Sequence, residues 1–121
     1  MSDTVSLIQC VEFGDNGAIL RVTSNKLHEH ESSLLIEEIR AYLDSSERNL
    51  VAMNFEQVEF ISSAALGAMV TINTELATRG GHLVVCHLCE DAMQVVKLTR
   101  LDKLFPVEKN EKKAQKRLEK A

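Results

Sequence analysis

Apolar and polar positions alternate loosely over residues 5–13, a period of two that predicts a strand. Asp15, Asn16 and Gly17 form a strong turn signal, so residues 18–22 are expected to return as the second arm of a hairpin. The period then changes. Leu35, Ile39, Tyr42 and Leu43 stand at i, i+4, i+7 and i+8, which predicts a helix over 31–43. Residues 50–55 are a short apolar run between polar flanks, the pattern of a buried strand. Over 64–78, Leu66, Met69, Val70, Asn73 and the Leu76/Ala77 pair fall near one helical stripe, while Ala65, Ala68 and Ile72 make the other side apolar too. Such a helix is either largely buried or shows an apolar face to a partner. Arg79, Gly80 and Gly81 end it with the usual C-terminal glycine signal. A strand over 82–88, a short helix over 91–99 and a short strand over 104–107 follow. The last stretch, 109–120, is a charged helix or frayed tail.

The resulting order, β-β-α-β-α-β-α-β-α, predicts an α/β fold: one domain with a mixed central sheet and parallel crossovers. A length of 121 residues agrees with one domain, and neither a repeat nor a linker divides it. Hydrophobic residues make up 45% and aromatics only 4%, so the core must be built from aliphatic side chains. No apolar run approaches the roughly 20 residues that span a bilayer, so no membrane insertion is expected. The first ten residues lack a basic region ahead of a long apolar one, which makes a cytoplasmic location the expectation.

Charge is unevenly distributed. Residues 1–108 carry 8 Lys/Arg against 16 Asp/Glu, whereas 109–121 carry 6 against 2. The acidic body argues against nucleic acid as a partner, since phosphate contact needs clustered Lys and Arg. The basic end is expected to be a solvated terminal segment of the same domain, with contact to an acidic surface as the alternative.

Little in the chain points to catalysis. The five glycines are scattered and form no phosphate loop, and G-x-S-x-G is absent. Cys86 and Cys89 form C-x-x-C around His87, but Cys86 ends an apolar strand instead of opening a helix, where a thiolate would be stabilised. No second ligand pair suits zinc. Structural cysteines are therefore expected, with no metal and no cofactor. His28 and His30 flank Glu29 in what reads as a polar connection, where solvated side chains are expected.

The stretch FISSAALGAM, residues 60–69, remains. Ser62 or Ser63, just ahead of Ala64, is placed to accept hydrogen bonds from the free amides of a helix start, a cap contributing about 1 kcal/mol. The same position favours an added phosphate. Local physics leaves both readings open.

Three blocks in order carry a family resemblance: NFEQVEFISSAALGAMV (54–70), RGGHLVV (79–85) and VVKLTRLDKLFPV (95–107). Together they resemble the STAS domain of bacterial anti-sigma factor antagonists, over nearly the whole chain. The resemblance places the STAS-like domain at 1–108, with 109–121 as its C-terminal helix or tail. It implies a non-enzymatic protein that binds a kinase-type anti-sigma factor through the loop and helix at 62–69, releasing sigma factor. The contact residues it implies are Ser62, Ser63, Ala64, Ala65, Leu66, Gly67 and Met69. In the family, a serine at the helix start is phosphorylated by that partner.

Here the pattern departs. Counting back from Leu66 and Gly67, the family's D-S-S-G becomes Ser62, Ser63, Ala64 and Ala65. The usual phosphoacceptor position is Ala64, and the acidic residue of the preceding strand is replaced by Asn54. Three readings follow: a module without the phosphoserine switch, a shifted acceptor at Ser63 or Ser62, and a STAS scaffold or transporter-associated subunit outside sigma-factor control.

Overall fold

The computed structural model describes residues 6–121; Val5, expected to begin the first strand, lies outside that range. The hairpin forms as predicted in type. Strand β1 (Ile8–Phe13) pairs antiparallel with β2 (Gly17–Val22), Phe13 facing Gly17. A Cβ at Gly17 would sit 2.3 Å from the Phe13 ring, which would then have to swing aside. A two-residue strand β3 (Lys26–Leu27) leads to helix α1 (Glu29–Ser46), then β4 (Leu50–Asn54) and a second short strand β5 (Phe60–Ile61). Helix α2 (Ser63–Thr78), β6 (His82–Cys86), α3 (Glu90–Leu98), β7 (Val107–Glu108) and α4 (Glu111–Glu119) complete the chain.

The main sheet runs β1-β2-β4-β6-β7, parallel apart from β1, while β3 and β5 form a separate parallel pair. Neither β3 nor β5 was legible, because two residues show no period. The last strand also differs from expectation. Residues 101–103 form a 3₁₀ turn (Leu101–Lys103), Phe105 drops into the core, and pairing begins only at Val107. The short fall of β6 at Cys86 has a local cause: His87 takes φ 58°, which leaves the extended region.

Alternation along the central strands divides the core in two. Ala18, Leu20, Val51, Met53, Leu83 and Val85 face one side, where α1 supplies Leu35, Ile39 and Leu43 and α3 supplies Val96. On this side α2 contributes Ala65, Met69, Ile72 and Leu76, spaced i, i+4, i+7 and i+11. Its buried stripe therefore centres on Ile72, which the sequence reading assigned to the opposite side, while Val70 and Asn73 are only half-buried. The other face carries Ile19, Ala52, Val84 and Cys86, covered by Ala114 and Leu118 of α4. The basic terminal segment is therefore not a solvated end. It is the layer that closes the second face of the sheet. Removing two fully buried side chains of this kind from water is worth roughly 2–3 kcal/mol, which is what a nine-residue helix needs to be held at all.

Candidate functional site at the start of the second helix

The chain enters α2 from a short, tethered strand. β5 pairs with β3, Lys26 opposite Phe60 and Leu27 opposite Ile61. The Ser62 N–H donates to the Leu27 carbonyl at 3.0 Å, extending that ladder by one bond. Ser62 then caps the helix: its backbone is extended (φ −73°, ψ 167°) and its Oγ accepts from the Ala65 N–H at 3.1 Å. Of the two serines, Ser62 is the cap. Ser63 is the first helical residue and is exposed, and Ala64 after it is half-buried. The amides of Ser63 and Ala64 belong to the free N–H groups of a helix start, and the first turn carries no acidic residue.

The seven residues expected to meet a partner do not share one surface. Ala65, Leu66 and Met69 point into the core and are removed from any contact face by burial. Ser62, Ser63, Ala64 and Gly67 remain accessible, and at Gly67 a Cβ would meet nothing within 4 Å. Two residues missed in the sequence join them. Phe60 is 44% exposed, and the His28 ring lies against it with centroids 4.9 Å apart. His28 is also the N-cap of α1, its N–H bonded to Glu31 at 3.0 Å, and His30 lies in the first turn. The expected polar connection is thus a helix start. Phe60 carried a usable signal, a large apolar residue beside the serines, whereas nothing local tied His28 to it.

Asn54 lies at the C-terminal end of β4 and is 4% exposed. Its Nδ2 donates to Glu111 of α4, and its Oδ1 accepts from the Glu56 N–H at 2.8 Å. Arg21 holds the same carboxylate in bidentate fashion, at 2.7 and 2.8 Å. The Arg21 hydrogen bonds, helped by Asn54, keep the Glu111 carboxyl below the usual range although burial opposes them. A carboxylate thus reaches the Asn54 side chain from α4, through Glu111.

Cys86 is fully buried beneath α4, and burial pushes its thiol up to about 12, with Glu111 and Glu56 adding to the effect. Cys89, rather than Cys86, sits at a helix start, the N-cap of α3. That is the wrong way round for an activated dithiol, whose attacking thiolate must be exposed and stabilised. Among the described residues, no group of three or more His, Cys, Asp or Glu is placed to hold a metal.

This fold, with its four-stranded parallel core, has known counterparts. The family model for the STAS domain matches residues 10–114. The chain belongs to the STAS domain family. Among solved structures, the Thermotoga maritima protein TM1081 is 19% identical, with 100% of this chain and 95% of that one covered at a TM-score of 0.81. An anti-sigma factor antagonist from Mycobacterium paratuberculosis is 20% identical, covering 93% and 94% at 0.77. The Bacillus anti-sigma factor antagonist SpoIIAA, in its unphosphorylated form, is 15% identical, covering 94% and 99% at 0.72. At such identities these structures establish a common fold. In this STAS domain no helix among the described residues is long and apolar enough to cross a membrane.

Proposed function

We propose that this STAS domain is an anti-sigma factor antagonist-like binding module that engages a kinase-type anti-sigma factor without the usual phosphoserine switch. The reading rests on the resemblance that puts Ala64 at the family's acceptor position, and one observation supports it: Ala64 is only half-buried in the first turn of α2 and has no hydroxyl. A phosphate there would add a charge of about −1.5 to −2 to the docking face. Without it the face stays uncharged, so docking is constitutive. The contact face comprises Ser63, Ala64 and Gly67 with Phe60 and His28 beside them. Phe60 is its anchor, since exposed aromatics bury much area at little conformational cost. The module binds and exchanges partners, and no catalytic step is assigned to it.

Exposure at Ser63 favours a second reading, in which that serine is the acceptor, one residue early. Incubation with the cognate kinase and ATP separates the two. The first reading expects little label on the wild type, strong label on Ala64→Ser, and binding that persists in ATP. Robust labelling of the wild type, lost in Ser63→Ala, would establish the second. Affinity capture that recovers only membrane-transport components, with no ATPase of histidine-kinase fold, would overturn both in favour of a transporter-associated role.

A further inference from the structure

The far edge of the sheet is formed by β7. The Val85 N–H donates to the Pro106 carbonyl at 2.9 Å, and β7 pairs Val107 with Val85 and Glu108 with Cys86. Backbone groups of successive strand residues point to opposite sides. Pro106 is turned toward β6, so the N–H and C=O of Val107 point away from the sheet. Among the described residues neither group has a hydrogen-bond partner. Val107 and Glu108 are only half-buried, so the edge is open.

Apolar and basic side chains meet along this edge. Val107 packs against the core, beside a hollow of about 450 Å³ lined by His87, Leu88 and Met93 and also by Glu108, Lys109 and Lys113. Glu108 points the other way and pairs with Arg117 of α4 at 2.9 Å. A second hollow of about 350 Å³, which shares Glu108 and Lys113 with the first, is lined further by Lys116, Lys120 and the Arg117 that pairs with Glu108. None of these three lysines has an ion pair among the described residues.

We propose that the outer edge of β7 receives an extended segment of a partner protein carrying an acidic–apolar–acidic triplet. Paired antiparallel, one residue of the segment exchanges both backbone hydrogen bonds with Val107. Its side chain shares the face of Val107 and enters the hollow beside Leu88 and Met93. Its two neighbours point to the α4 side, where carboxylates meet Lys113, Lys116 and Lys120. The same charge disfavours a second copy, because edge-to-edge pairing would bring two basic α4 helices together. The site lies on a different edge from the α2 start, and does not depend on the role proposed there.

The test is a titration of the isotope-labelled full chain with a synthetic peptide, a glutamate–leucine–glutamate triplet between threonines, followed by amide NMR. The Val107 amide should shift and its hydrogen exchange should slow. Methylating the leucine nitrogen removes one ladder bond and adds a clash, and should weaken binding by at least about tenfold. Lys116→Glu, on the exposed face of α4, should weaken it by about threefold, and a lysine–leucine–lysine peptide should not bind. Equal binding of the methylated peptide, or shifts confined to the α2 start, would overturn the proposal. So would doubling of the mass in sedimentation with Val107 protected in the absence of peptide.

Discussion

Replacing Asn54 by the acidic residue typical of the family, Asn54→Asp, should destabilise this chain. The new carboxylate would stand where Nδ2 now donates to Glu111, on a side chain 4% exposed. A hydrogen bond to a charged group, about 1.5–3 kcal/mol, is lost. Two like charges some 4 Å apart repel by about 4 kcal/mol at an effective dielectric of 20. Arg21, already bound to Glu111 through two nitrogens, offsets a part of this. Protonation sets a ceiling. Keeping the new carboxyl neutral at pH 7, from an ordinary pKa near 3.9, costs about 4 kcal/mol. The expected loss is therefore about 2–4 kcal/mol at pH 7, measured by urea denaturation.

The pH dependence is a stricter check. In the variant the folded carboxyl pKa lies above its unfolded value, so the folded state holds the extra proton and stability recovers as pH falls. At pH 5 the ceiling drops to about 1.5 kcal/mol. In the wild type the depressed Glu111 contributes stability above its unfolded pKa, and that contribution disappears only in acid, as pH falls through the folded pKa. The loss should thus shrink between pH 7 and 5, and Glu111→Gln added to the variant should recover much of it. A loss below about 0.5 kcal/mol at pH 7, or one unchanged at pH 5, would refute the assignment of a single carboxylate to this cluster.

The two serines should separate in stability. Ser62→Ala loses the cap and about 1 kcal/mol, whereas Ser63→Ala should stay within about 0.5 kcal/mol by thermal or urea melts. Leu118→Ala should cost about 2–5 kcal/mol, because α4 covers one face of the sheet; a frayed end would make it neutral. Cys10 should react with iodoacetamide in the native protein while Cys86 reacts only on unfolding, mass spectrometry reporting each site. Stability should also decline above about pH 9, where the unfolded Cys86 thiol ionises and the buried one does not.

Much of the fold and part of the site were legible because their signals are local. The serine pair before an apolar helical run predicted a cap, though which hydroxyl took it depended on the backbone of Ser62 turning extended. The resemblance pointed to Ala64 by counting back from Leu66 and Gly67. It also implicated Ala65, Leu66 and Met69, and only packing against the sheet showed that these face inward. Phe60 and His28 meet because β3 pairs with β5, two strands too short to leave a pattern.

The order of the longer elements, the stop of α2 and the fold class were determined by the sequence alone, since periods of 2 and 3.6 act over a few neighbouring residues. Tertiary structure decided what depends on distant partners. Glu111 bonds Arg21 across 90 residues and Asn54 across 57, so no local window contains the cluster. The terminal helix looked solvated because six of its neighbourhood's residues are basic, yet Ala114 and Leu118 are buried against the sheet and Glu111 is bound by Arg21 and Asn54. Whether two apolar residues on a charged helix are buried depends on an apolar face waiting across the sheet, which Ile19, Ala52, Val84 and Cys86 supply.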